Sequence, residues 1–235
     1  MWVLVKKMTK RQHCAVLLSI EGIDASGKTT LVDTILKHYE DKGLKVAIFR
    51  FPTRDTPIGK LIDQVLRKEV TLPSETLQFL FSANRSEMQE QIHKTCHTHD
   101  LVLFDRYLDS AVAYAVAQNM SGDWIRTLDK SCIAPDGCIF LHINPENATF
   151  RQKERQKSSA NKAELYDKTK FQTLVHKAYC KCYPLDTTAS HVQSWATPKI
   201  YPHLLVQHIN AEESKNSVFL NAIEFLEKLL KEKQS

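Results

Sequence analysis

The chain has no apolar run approaching the eighteen or so residues that cross a bilayer, so no membrane-spanning helix is expected. It also has no C-x-x-C pair. Its six cysteines, Cys14, Cys96, Cys132, Cys138, Cys180 and Cys182, are irregularly spaced, which argues against both a zinc site and a disulfide framework. A secretory leader is not indicated, because the apolar patch Trp2 to Val5 precedes Lys6, Lys7, Lys10 and Arg11, the reverse of the order such a leader needs. Residues 1–13 therefore read as a loose extension, and a cytoplasmic, reducing setting without a membrane partner is expected. There is no internal repeat and no low-complexity tract. The charge is only mildly one-sided: 32 lysines and arginines against 27 acidic residues leave +5, which suits an anionic small molecule and is too diffuse to imply nucleic acid as a partner.

What is present is alternation. Apolar runs of strand length lie at Ala15 to Ile20, Val46 to Phe51, Leu101 to Phe104, Cys138 to Ile143 and Leu204 to Ile209, with amphipathic stretches of helical length between them. Five such runs separated by helices predict a five-stranded parallel α/β sheet, and their nearly continuous apolar character predicts helices on both faces. The 235 residues form one ordinary domain, large enough to bury a core without staples. Pro73-Ser74-Glu75 opens a long predicted helix to about Thr95. Val218, Phe219, Ala222, Phe225, Leu226, Leu229 and Leu230 stripe the core side of a final helix at spacings of three and four.

One motif decides the chemistry. Gly22-Ile23-Asp24-Ala25-Ser26-Gly27-Lys28-Thr29 is a complete G-x-x-x-x-G-K-T phosphate loop, directly after the first strand and before a helix over Thr30 to Tyr39. Its glycines permit backbone conformations that aim successive N–H groups at phosphates, beside the positive end of a helix. Lys28 would reach the β and γ phosphates, and the Thr29 hydroxyl would sit on magnesium. The fold class is thus that of a P-loop NTPase, with ATP and Mg2+ as expected cofactors. Beyond the loop itself, no apolar strand ends in D-x-x-G and no strand leads into N-K-x-D, so a switch GTPase is not indicated. Asn161-Lys162-Ala163-Glu164 mimics the second motif only inside a polar stretch. A motor or helicase would need a larger chain, which leaves a small kinase, or else a nucleotide-dependent nucleic-acid-binding module.

A kinase must clamp a second phosphate in line with the γ phosphate and exclude water. Arg54 in Phe51-Pro52-Thr53-Arg54 follows the second strand and Arg106 in Asp105-Arg106-Tyr107 ends the third, so both stand at the carboxyl edge of the sheet. Guanidinium forks bind phosphate bidentately.

These segments together resemble the thymidylate kinase family. Glu21-Gly22-Ile23-Asp24 with the phosphate loop, Phe51-Pro52-x-Arg54, Leu80-Phe81-Ser82-Ala83-Asn84-Arg85, Asp105-Arg106-Tyr107-x-x-Ser110 with Ala113-Tyr114, and Glu164-x-Tyr166-Asp167 before Phe171-Gln172 occur in the family's order over roughly residues 14 to 183. The resemblance implies transfer of the γ-phosphoryl group of MgATP to dTMP, giving dTDP and ADP. dUMP or dGMP stand as alternative acceptors, and a homodimer is implied. Residue by residue, it implies that Asp24 accepts from the acceptor's 3'-hydroxyl while Arg54 and Arg106 hold its phosphate. Phe81 would stack on the base, Arg85 donate to a thymine carbonyl, Tyr114 disfavour a 2'-hydroxyl, and Tyr166 close the pocket. Phe51, Ser110 and Gln172 would complete the acceptor site. Asp105 would hold magnesium through water or orient Arg106.

The basic stretch Arg151 to Lys162, within residues 145–165, matches the family's lid. Arg151 and Arg155, four apart and so on one face of a helix, would fold over the transferring phosphate. Some family members carry a basic residue inside the phosphate loop where this chain has Ala25, which puts more of that task on the lid. Residues 184–202 form a segment longer than the family's usual link into the last strand. His93, Cys96, His97 and His99 are read as a solvated helix terminus rather than a metal site.

Overall fold

The computed structural model describes residues 15–157, 164–183 and 204–234. The expected N-terminal extension and the 184–202 segment lie outside the described residues, as do lid residues 158–163. Five strands form one parallel sheet in the order β2-β3-β1-β4-β5: β1 (Val16–Glu21), β2 (Val46–Arg50), β3 (Leu101–Asp105), β4 (Gly137–His142) and β5 (Leu205–Asn210). Every residue of β1 and β3 is buried, as expected of central strands covered on both faces.

The two-residue period of each strand sorts its side chains between the two helical layers. Val16, Leu18 and Ile20 join Leu101 and Leu103 in one apolar cluster with Leu31, Val32 and Ile35 of helix α1 (Lys28–Glu40) and Leu226 of the last helix, α9 (Lys215–Gln234). Leu17, Val102 and Phe104 face the other way, against Ile92 and Cys96 of α4 (Gln89–Cys96). Cys96 is therefore a core residue, only 1% exposed, and among the described residues no three or more His, Cys, Asp or Glu side chains cluster as a metal site. Also among the described residues, no helix is long and apolar enough to cross a membrane.

Among the described residues the remaining helices are α2 (Pro57–Leu66), α3 (Ser74–Glu87), α5 (Leu108–Ala117), α6 (Gly122–Leu128), α7 (Pro145–Lys157) and α8 (Thr169–Cys182). The long helix expected from Ser74 to about Thr95 is corrected to two, α3 and α4, which break at Met88. The Gln89 side chain takes the Arg85 carbonyl at 2.9 Å, a carbonyl that an unbroken helix would leave to a backbone N–H, and its Oε1 accepts from the Ile133 amide at 2.8 Å.

The chain runs from β1 to the far edge, returns through β3 and then crosses β1 to β4, so the carboxyl ends of β1, β2 and β3 open on one crevice where the order reverses.

Candidate phosphate and acceptor site

β1 runs straight into the phosphate loop. Gly22 has φ 145°, and a Cβ there would lie 2.6 Å from the Leu141 carbonyl oxygen, so a side chain is excluded by both backbone and neighbour. Ala25 (φ 60°) and Gly27 (φ 100°) are left-handed too, and Gly27 caps α1 at its amino end. Ile23 is buried beneath the loop and Ser26 within it. The Lys28 ammonium folds back on the loop, donating to the Ile23 carbonyl at 2.6 Å. Burial, and then the nearby Arg106 charge, push Lys28 down to about 7 against the pull of Asp24, Asp105 and Glu21.

The Thr29 hydroxyl donates to Asp105 Oδ2 at 2.7 Å, so the two residues expected at a metal are adjacent and offer an all-oxygen donor set suited to a hard divalent cation. Lys28, Thr29, Thr30, Asp105, Arg106 and Arg155 line one cleft together with the phosphate loop.

Arg106 sits at φ 65°, just past β3, which turns its side chain back over the loop. Its Nη1 donates to the Gly22 carbonyl at 2.8 Å, its Nη2 pairs with Asp24, and its guanidinium lies 5.4 Å from the centre of the Tyr114 ring. Although burial raises the Asp24 carboxyl, the Arg106 and Lys28 charges outweigh it and hold it below the usual range.

Asp24 and Arg106 also line a second cleft, which opens onto Phe51, Arg54, Phe81, Arg85, Tyr114 and Tyr166. Two clefts thus share one ion pair. Arg54 reaches that space from the loop after β2, where its fork is engaged by Glu164 (2.9 and 3.1 Å) and by Asp63. Arg85 is 4% exposed, with Nε and Nη2 both on Asp129 Oδ2 at 3.1 and 2.7 Å. Tyr114, Tyr166 and Phe171 form an aromatic wall in which Tyr166 and Phe171 stack at 4.8 Å.

Three expected site residues are engaged by other groups of the protein. Gln172 stands behind Asp24, accepting from its amide at 3.0 Å and donating to its carboxylate at 2.6 Å, so it positions that residue. The Ser110 hydroxyl is bound to Glu21 and Tyr179. Arg151 donates to the Ala211 carbonyl at 2.8 Å and lines a cleft with Ala25, Ser26, Gly27 and Thr30 of the phosphate loop and with Lys215 and Phe219, whereas Arg155 lines both that cleft and the one of Lys28 and Thr29.

Several residues that carry the geometry had been given no role. Glu21, at the end of β1, accepts from the Tyr107 amide at 2.8 Å, from Ser110 and from Tyr179 at 3.0 Å. Asn84, fully buried, brackets Thr53 through both its amide and its carbonyl (2.8 and 3.0 Å) and so fixes the loop bearing Arg54. Gly59 lets α2 start against that loop, since a Cβ would fall 1.8 Å from the Thr53 carbonyl oxygen. Glu21 and Asn84 both lie inside the motifs quoted above. Asp129 lies in none.

A sequence model described as thymidylate kinase matches residues 20–194 of the chain. The chain is 34% identical to a thymidylate kinase of Schizosaccharomyces pombe over 173 residues, 72% of this chain and 77% of that one. It is 32% identical to a thymidylate kinase of Dictyostelium discoideum over 175 residues, 74% of each chain. Among solved structures, a thymidylate kinase from Candida albicans described as having broad substrate specificity superposes with a TM-score of 0.72 at 25% identity, covering 92% of both chains.

Proposed function

The chain belongs to the thymidylate kinase family, and from that premise we propose that it transfers the γ-phosphoryl group of MgATP to dTMP, forming dTDP and ADP. One observation carries the site-level reading: Asp24 and Arg106 line both the cleft of the phosphate loop and the cleft of Arg54, Phe81 and Arg85. A donor phosphate on Lys28 and an acceptor phosphate on the two arginines then meet at one shared wall, which is the geometry an in-line transfer needs.

The triphosphate would lie along the N–H groups of the loop, with Lys28 on its outer phosphates. Thr29 and Asp105 would hold Mg2+, which when bound neutralises charge on the phosphate oxygens. In the acceptor cleft, Phe81 offers a flat face and Arg85 its remaining Nη1. Asp24, braced by Gln172, faces the sugar as an acceptor for a hydroxyl. A phosphate dianion is the stronger partner for Arg54 and Arg106, so its arrival would exchange their contacts to Glu164 and Asp24 for phosphate oxygens. No side-chain base is required, because the acceptor oxygen is already anionic. A coupled assay of ADP release against a panel of nucleoside monophosphates tests this reading: dTMP should stimulate most strongly. ADP release that no monophosphate stimulates would reject the kinase.

The lid reading becomes asymmetric. Arg155, on the phosphate cleft, is the residue placed to stabilise the transferring group, so Arg155→Ala should lower kcat about a hundredfold with little change in the KM for ATP. Arg151→Ala, which loses the Ala211 contact, should act mainly on the KM for ATP. Steady-state kinetics of the two variants would separate these effects, and an unchanged kcat for Arg155→Ala would remove it from the transfer step.

We also propose a homodimer in a reducing, cytoplasmic setting. The half-exposed Phe79 on α3, edge-on to Trp124 at 5.2 Å, and the half-exposed Leu174 on α8 offer apolar surface for self-association. The five described cysteines are all free thiols. Light scattering should return twice the 27.0 kDa chain mass.

A further inference from the structure

Helix α3 carries Gln78, Phe81 and Arg85 at spacings of three and four, which sets all three on one face, and all three line the acceptor cleft. Gln78 differs from the amides that brace the site. It is 0% exposed, yet neither Nε2 nor Oε1 has a hydrogen-bond partner within the protein. By contrast Asn84, Gln89 and Gln172 each have the amide nitrogen and the amide oxygen engaged. A buried amide with both ends unpaired bears its full desolvation penalty, and such a group is retained where a ligand supplies the missing partners.

We propose that Gln78 reads the edge of the acceptor base, a specificity contact that rests on the reading of this cleft as the acceptor site. Once a turn of the side chain brings the amide, fully covered in the free protein, to the cleft that Gln78 lines, its Oε1 accepts from a ring N–H and its Nε2 donates to the adjacent carbonyl. The neighbouring residues narrow the base further. Arg85, with Nε and Nη2 committed to Asp129, presents Nη1 as a donor only, and so requires a carbonyl on the base. Beside that fixed donor, the amide supplies the acceptor that an arginine lacks. Together they match a carbonyl next to an N–H, an edge that thymine, uracil and guanine carry and cytosine does not. Cytosine would turn its amino group toward Arg85, donor against donor, whereas the amide, turned over, would still donate to the bare ring nitrogen. Arg85 therefore excludes the cytosine amino group, Gln78 holds the ring N–H beside the carbonyl, and both are blind to the 5-methyl group.

The test is Gln78→Met, which keeps the length of the side chain and removes both polar atoms. The melting temperature of the free variant should rise by a few degrees, because an unpaired buried amide gives way to an apolar group. Its kcat/KM for dTMP should fall about 10- to 100-fold, mostly in KM, since the base loses two partners. N3-methyl-dTMP, which lacks the ring N–H, should be a poor substrate for the wild-type enzyme relative to dTMP, whereas the variant should no longer tell the two apart. An unchanged kcat/KM for dTMP would overturn the proposal. So would a lowered melting temperature with equal losses on both nucleotides, the signature of a packing role. Failure of the wild-type enzyme to use dTMP at all would instead bring down the functional reading on which the proposal stands, and it is read before any variant is made.

Discussion

Replacing Arg106 with alanine is expected to lower kcat/KM for the acceptor nucleotide about a thousandfold while the KM for ATP changes only a few fold. The Arg106 fork donates to the Gly22 carbonyl at 2.8 Å, to Asp24 and, at 3.5 Å, to the Ser110 hydroxyl, and in the proposed complex it turns to the acceptor phosphate, which takes two charge-assisted bonds. Charge-assisted hydrogen bonds are each worth about 1.5–3 kcal/mol, so two of them correspond to between roughly a hundredfold and ten-thousandfold. The loss extends to Asp24. Burial already raises that carboxyl, and the Arg106 charge is the foremost influence holding it down, so in the variant its affinity for a proton climbs and its strength as an acceptor for the sugar hydroxyl declines. Arg106→Lys restores the charge without the planar fork and should recover only about tenfold. Because Arg106 and Asp24 act as one pair, Arg106→Ala combined with Asp24→Asn should cost less than the sum of the single changes. A thousandfold loss that fell on the KM for ATP instead would place Arg106 on the donor side and undo the assignment.

The parts of this site that could be read from the sequence are those in which backbone geometry dictates residue type. The loop from Gly22 to Thr29 was legible because a chain that wraps a phosphate needs positive φ at set positions, and Gly22 and Gly27 stand at 145° and 100°. Arg54 and Arg106 were legible because strand ends of a parallel sheet converge, and the order β2-β3-β1-β4-β5 puts both beside the loop. The side-chain partners were not. Arg85 owes its fixed orientation to Asp129, 44 residues away in a turn without any pattern, and Asn84 clamps Thr53 from 31 residues away. Nor did periodicity reveal the break at Met88, since Ile92 and Cys96 continue the apolar spacing while a glutamine side chain ends the helix. Spacing placed Arg151 and Arg155 on one face but could not show that Arg151 ends on the Ala211 carbonyl. Gln78 was invisible for the opposite reason: a glutamine in mid-helix reads as solvated surface, and only its burial shows otherwise.

Glu21→Gln should stabilise the free protein by up to about 3 kcal/mol at pH 8 and by progressively less as the pH falls toward 5. Glu21 is fully buried, and burial, then the neighbouring Asp109 charge, raise its carboxyl from 4.5 to about 7 despite the hydrogen bonds of Ser110 and Tyr179 and the Arg106 charge. Between these two values the folded chain holds a proton that the unfolded chain has released, so stability decreases as pH rises through this window and the whole penalty is present above 7. The amide keeps the shape. Its oxygen still accepts from the Tyr107 N–H and its NH2 donates to the Ser110 and Tyr179 oxygens, while of the two hydroxyl protons one stays within the Ser110–Tyr179 pair and the other loses its acceptor, which takes back part of the gain. Thermal melts of both proteins from pH 5 to 8 should therefore diverge toward high pH. Parallel curves, or a variant less stable at pH 8, would mean that Glu21 is an ionised and well-paired carboxylate in the fold. The chain tolerates this cost at the end of β1 because Glu21 ties down the Tyr107 amide, and with it the left-handed turn at φ 65° that aims Arg106 at the phosphate loop. A stabilised variant that bound acceptor less tightly would show that the penalty is the counterpart of that aim.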